Sequence, residues 1–196
     1  MDEVILSRHA ESEYSARGAV NGDPAVAVGL TETGRAQARA LGELLRDQPI
    51  DLCVTSEFQR VRETADLALA GRDVTRLVLA DLNDIGFGDY EGKTLDEYRV
   101  WAGAALPDDV ADGAESRAAA ARRYARAFRT VLGRPEPAIL VVTHSLPIRY
   151  VLNAVTGVPP TPILDLVPYA GAERLAAGEL EAAVVRLEEW CAAPAW

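Results

Sequence analysis

Four short apolar runs punctuate the chain, each ending abruptly in polar residues: Val4-Ile5-Leu6, Leu52-Cys53-Val54, Leu77-Val78-Leu79-Ala80 and Ala138-Ile139-Leu140-Val141-Val142. Uninterrupted runs of this length, rich in β-branched residues, predict strands covered on both faces. Between them the apolar positions recur at intervals of three and four. Ala38, Leu41, Leu44 and Leu45 predict a helix from a Thr31 cap to about Asp47, stopped by Pro49. Ser56 predicts the cap of a helix reaching about Ala70, and Thr94 that of a short helix ending near Ala102. The stripe Ala121, Tyr124, Ala125, Phe128, Val131, Leu132 predicts an amphipathic helix over 115–132, and a further helix follows over 146–155 with Pro147 in its first turn.

Beyond Gly157, segments 163–167, 173–176 and 180–187 predict short closing strands. Residues 10–30, with glycines, a proline, serines and the pair Asn21-Gly22, read as a long loop, and so do the glycine-punctuated stretch 83–92 and the acidic stretch 107–113. No repeat, low-complexity tract or long linker interrupts this order, which predicts a single domain over residues 1–196. Strands alternating with helices predict an α/β fold, a three-layer α/β/α sandwich with a mostly parallel central sheet.

Composition narrows the function. Of 196 residues, 49% are apolar and 26% charged, which describes a globular protein. A formal net charge of -10 repels polyanions and argues against non-specific binding to nucleic acid or to an anionic membrane surface. An anionic small molecule must therefore find a local positive pocket. Lys93 is the only lysine, so any such pocket is built from arginine, whose planar fork suits phosphate and carboxylate. Cys53 and Cys191 have neither zinc-ligand spacing nor the density of a disulfide framework. Acidic Asp2 and Glu3 stand where a signal peptide would carry positive charge, and no apolar run approaches membrane-spanning length; the expectation is a soluble cytoplasmic protein. A homo-oligomer is compatible with all of this.

The candidate chemistry lies at the strand ends. The chain has two histidines, His9 and His144, and each immediately follows the carboxyl end of a predicted strand, where open α/β sheets bind their ligands. If those strands are neighbours, the imidazoles converge. Arg8 adjoins the first, and Arg60, one turn into the helix after the second strand, can reach back over the same crevice, whereas Arg62 points to another face. A neutral imidazole nitrogen can attack phosphorus, and two guanidiniums with one protonated imidazole offset the roughly two negative charges of a phosphomonoester. A metal site would need further ligands. Two histidines that merely cap helices or fill core are the alternative, and that reading leaves Arg8 and Arg60 without a role.

Arg8-His9, residues 56–65 with Arg60, 84–92, 113–116 and 141–145 with His144 stand in an order and spacing that resembles the histidine phosphatase superfamily, in the branch containing phosphoglycerate mutases; the likeness runs from residue 4 to about residue 155. The resemblance implies a phosphoglycerate mutase-like fold and a histidine-type phosphatase that hydrolyses a small phosphomonoester. It implies that His9 is the nucleophile and becomes phosphorylated, that Arg8, Arg60 and His144 bind the phosphoryl group, and that the Ser145 amide adds a donor. A carboxyl group then acts first as acid and then as base. No metal and no organic cofactor is implied, since the protein itself supplies the positive charge.

The chain departs from the family pattern at three places. Ala10 replaces the usual glycine, which is harmless at negative φ. Ser15 replaces a phosphate-binding asparagine. Asp84 replaces the glutamate acid, one methylene shorter, with Glu11 and Glu91 as substitutes. Ile85 and Phe87 stand where the mutases hold substrate with arginine and tyrosine, and 102–113 contains no cation, which favours a hydrolase over a cofactor-dependent phosphoglycerate mutase. A phosphate-binding module that has lost catalysis is the remaining reading, and it needs no nucleophile. Tyr14, Arg17, Phe87, Tyr90, Trp101 and Leu146 fall in segments that could wall the crevice.

Overall fold

Each of the four apolar runs contributes to one five-stranded sheet in a computed structural model of residues 1–196. The strands are β1 (Glu3–Arg8), β2 (Leu52–Thr55), β3 (Thr75–Val78), β4 (Ala138–Thr143) and β5 (Glu173–Ala176), in the order β3-β2-β4-β1-β5. All neighbours are parallel except β5, which runs antiparallel to β1 at the edge. Between them lie α1 (Glu13–Ala16), α2 (Glu32–Leu44), α3 (Gln59–Ala68), α4 (Leu95–Ala104), α5 (Arg117–Leu132), α6 (Ser145–Val155) and α7 (Ala177–Ala192). None of these is long and apolar enough to cross a membrane.

The alternation of side chains across the pleat makes two cores from the same strands. Val4, Leu6, Leu52, Val54, Ile139 and Val141 point to the face covered by α5, α6 and α7, where Tyr124, Phe128, Val151 and Val184 are buried. Ile5, Cys53, Leu140 and Val142 point to the opposite face and meet Leu41 of α2 with Val61 and Ala65 of α3. The result is the expected three-layer sandwich with helices on both sides of a mostly parallel sheet.

Four local expectations are corrected. Residues 180–187 are not a strand but the middle of α7, because Leu180, Ala183, Val184, Leu187 and Cys191 repeat at helical spacing and bury one stripe. Residues 163–167 pair with no strand; arginine side chains take several of their carbonyls instead. β3 begins two residues before the apolar run, since its pairing runs from Leu52 with Thr75 to Thr55 with Val78, and an edge strand tolerates exposed Thr75 and Arg76. Ser56 does not cap α3: Phe58 occupies that position without a side-chain bond, and the Ser56 hydroxyl is engaged in the site described next. Thr31, Thr94 and Ser116 do cap their helices, and α1 forms a short turn inside the loop over 10–30.

Candidate active site

The sheet register brings the two histidines together. β1 and β4 are adjacent and parallel, Arg8 stands opposite Thr143, and the His9 amide donates to the Thr143 carbonyl at 2.8 Å. The next residue on each strand is a histidine, so the two rings meet edge to face with centroids 5.4 Å apart. Both are buried, His9 at 4% exposure and His144 at 0%.

Partners fix how each ring is used. His9 Nδ1 lies 2.8 Å from the Ala10 carbonyl, which can only accept, so Nδ1 carries the proton and Nε2 presents a lone pair. Arg60 Nε donates to that Nε2 at 3.3 Å. His144 Nε2 faces the Ser56 hydroxyl at 2.9 Å, and its Nδ1 lies 3.3 Å from Arg60 Nη2. Burial first, then Arg60, holds the pKa of both imidazoles well below the usual histidine value. In the free protein both rings are thus biased toward the neutral form, since a cation beside two guanidiniums in a buried pocket is disfavoured.

Arg60 comes from the first turn of α3, and its guanidinium crosses the strand ends as its sequence position predicts. Nη1 donates to Asn21 Oδ1 at 2.5 Å and Nη2 to the Asn21 carbonyl at 3.0 Å, while the Phe58 ring lies 4.2 Å beneath it. Burial lowers its pKa to about 10, with Asp84 pulling the other way. Arg8 donates through Nη1 to the Val167 carbonyl at 2.8 Å and stacks 3.9 Å over Tyr169, and its buried Nε has no partner. Ala170, next in the chain, is the one non-glycine residue with positive φ, 48°. Ala10 has negative φ, as its tolerance required.

Asp84 completes the cluster. One oxygen lies 3.6 Å from Arg60 Nη2 and 3.5 Å from His144 Nδ1, and the other accepts the Ile85 amide at 3.0 Å. Burial raises its pKa above the ordinary aspartate value, with Arg60 opposing. A carboxyl so placed can hold a proton against the cleft.

The other candidates divide. Ser15 lines the cleft, yet its hydroxyl is occupied by the Ser12 cap, accepting the Ser12 amide at 2.7 Å. Ser145 also lines it, with its hydroxyl accepting the Val167 amide at 2.8 Å and its own amide free at the start of α6. Glu11 lies outside, accepting the Thr31 hydroxyl. Glu91 ties two loops together by accepting the Gly22 amide at 2.7 Å and the Phe87 amide at 3.4 Å, and burial raises its pKa. Tyr14, Phe87 and Leu146 wall the cleft, which encloses about 190 Å³; Arg17, Tyr90 and Trp101 do not reach it. Instead Tyr90 and Trp101 pack behind Tyr98.

Sequence reasoning missed Asn21, Ser56 and Tyr169. Asn21-Gly22 did carry a signal but was used up as turn chemistry; Gly22 is there because a Cβ would lie 2.0 Å from the Ile85 carbonyl. No three His, Cys, Asp or Glu side chains gather as ligands for a metal ion.

The family model of the histidine phosphatase superfamily (branch 1) matches residues 4–189. The adenosylcobalamin/alpha-ribazole phosphatase of Salmonella typhimurium is 44% identical over 86 residues, 44% of this chain; the match spans 42% of that protein, less than half its length. Among solved structures, the alpha-ribazole phosphatase of Shigella flexneri superposes with a TM-score of 0.77 at 25% identity, covering 88% of this chain and 89% of its own. Bacillus stearothermophilus YhfR gives 0.76 at 27% identity, with the same coverages.

Proposed function

The chain belongs to the histidine phosphatase superfamily, and from that premise we propose that it hydrolyses a small phosphomonoester through a phosphohistidine on His9. The observation that carries this reading is the tautomer of His9: Nδ1–H is committed to the Ala10 carbonyl, so Nε2 offers its lone pair where Arg60 points and where the cleft opens.

In the first half-reaction His9 Nε2 attacks phosphorus, the bond from phosphorus to the ester oxygen breaks, and the departing oxygen takes the proton of Asp84. In the second, Asp84, now a carboxylate, takes a proton from water as the water oxygen attacks the phosphohistidine; phosphate leaves and His9 is restored. Arg8 and Arg60 hold the equatorial oxygens, whose charge dominates the loose transition state, and the Ser145 amide and His144 add contacts at the other side. His144, neutral at the outset, adds no like charge beside the guanidiniums. Ile85 and Phe87 present apolar side chains to the cleft, which favours water over a bound alcohol as the acceptor.

The test is rapid mixing with a phosphorus-labelled ester, quenched in alkali, where a phosphorus–nitrogen bond survives. Label retained on the wild type and lost in His9→Ala supports the reading. Ester bound but never cleaved, across a panel that includes alpha-ribazole phosphate because relatives are named for it, would refute it. Conversion of 3-phosphoglycerate to 2-phosphoglycerate in the presence of the bisphosphate would replace hydrolase with mutase.

A further inference from the structure

A single guanidinium holds the loop that carries Asp84. Arg123, in the second turn of α5, donates through Nη1 to the Asp81 carbonyl at 3.0 Å and the Asn83 carbonyl at 2.7 Å, and through Nη2 to the Asp84 carbonyl at 3.1 Å. Its other bonds go to Glu115, from Nε to one carboxylate oxygen at 3.0 Å and from Nη2 to the other at 2.6 Å. The Leu82 carbonyl, between these, accepts the Thr143 hydroxyl at 2.8 Å. Successive carbonyls from Asp81 to Asp84 are thus fixed by side chains of α5 and β4, most of them by a fork that no lysine reproduces. The segment before α5 grips the same loop from its other end. The Glu115 amide donates to the Gly86 carbonyl at 2.9 Å, and Gly88 lets the two segments touch, since a Cβ there would lie 2.1 Å from the Asp112 carbonyl.

Neither Arg123 nor Glu115 lines the cleft. Both lie in a separate hollow that Asp84 also borders, together with Asp81, Asn83 and Gly86, so they meet no ester bound beside His9. The pair is largely withdrawn from water, at 15% and 25% side-chain exposure, and an ion pair in that setting adds little net stability. What it supplies is position. Arg123 bonds to the backbone of the loop and leaves the Asp84 carboxyl to Arg60 and His144. Burial raises the Asp84 pKa, and of the guanidiniums that oppose this, Arg60, Arg8 and Arg123, the last opposes least. Glu115 offsets its charge at contact distance.

We propose that Arg123, anchored by Glu115, is the positioning residue for Asp84, fixing the backbone from which this short acid reaches the ester oxygen. An aspartate carboxyl has one torsion fewer than a glutamate's with which to correct its placement, so a displaced loop displaces the acid with it. The block 113–116, which takes no part in the bond-making steps, gains a task on this account. The proposal rests on the phosphatase reading, in which Asp84 gives its proton to the departing oxygen.

The test measures kcat/KM for p-nitrophenyl phosphate and for an unactivated alkyl phosphate on one preparation of each variant, so that any unfolded fraction scales both and cancels in their ratio. Arg123→Gln should lower the alkyl ester about tenfold or more relative to p-nitrophenyl phosphate, because a positioned group displaced by about 1 Å loses much of its effect and only the poor leaving group needs the proton. Arg123→Lys, a point charge in place of the fork, should restore little of the ratio. Glu115→Gln keeps the shape but removes the anchoring charge, and should shift the ratio the same way by less; it carries the test if the Arg123 variants do not fold. An unchanged ratio in folded Arg123→Gln, or in Glu115→Gln where the Arg123 variants do not fold, would overturn the proposal. Asp84→Asn measured alongside separates this from the phosphatase reading. If it discriminates between the esters while the Arg123 and Glu115 variants do not, the positioning role fails alone; if it does not discriminate, the acid assignment falls and the positioning role with it.

Discussion

Replacing Arg60 with alanine probes the reasoning most directly. Its guanidinium touches His9 at 3.3 Å, His144 at 3.3 Å and Asp84 at 3.6 Å, and it is locked from behind by two bonds to Asn21. A donor held this way needs no reorganisation when charge builds on the phosphoryl oxygens, and loss of one such preorganised donor costs about 2.7 to 4 kcal/mol. The expected fall in kcat/KM is therefore about a hundred- to a thousandfold. Because Arg60 acts on the transferred group and not on the leaving group, p-nitrophenyl phosphate and an unactivated alkyl phosphate should lose equally. Arg60→Lys keeps the charge but not the fork, and should fall between. Steady-state kinetics on both esters, with thermal melts to establish that each variant is folded, measures this. A folded Arg60→Ala protein that loses less than tenfold would refute the placement of Arg60 at the phosphoryl group.

Asp84→Asn should slow the alkyl ester far more than p-nitrophenyl phosphate, since only a poor leaving group needs the proton; equal losses would rule out the acid role. Asn21→Ala frees Arg60 of a side-chain bond at 2.5 Å and should lower kcat/KM about tenfold, in line with one hydrogen bond to a charged group. With only two histidines in the chain, a proton NMR titration reads both rings directly, and neither should titrate near 6.5 in the folded protein. The sign for stability follows: below about pH 6.5 the unfolded chain takes up protons that the native rings refuse, so this contribution is lost as pH falls. Thr64→Val leaves the buried Ala10 amide without its 3.0 Å acceptor, and should lower stability by about 1 to 3 kcal/mol, read as a drop of roughly 2 to 4 °C in Tm per kcal/mol.

The sequence by itself determined what is local. Apolar runs that end in polar residues mark the buried strands wherever they lie, and Arg8 and His9 share a strand end because they are covalent neighbours. Helical spacing identifies most helices for the same reason, whereas over 180–187 the repeat of three and four is short enough to read as alternation, and only burial of the Leu180, Ala183, Val184 and Leu187 stripe makes it α7. The tertiary structure decided what depends on distant contacts. Only the strand order sets β4 beside β1 and turns two histidines 5.4 Å apart into one site. Asn21 reaches Arg60 across 39 residues and Val167 accepts from Arg8 across 159, and no window of sequence contains either pair. The states of the imidazoles were decided there as well, since burial and neighbouring guanidiniums, which no linear pattern encodes, keep them neutral.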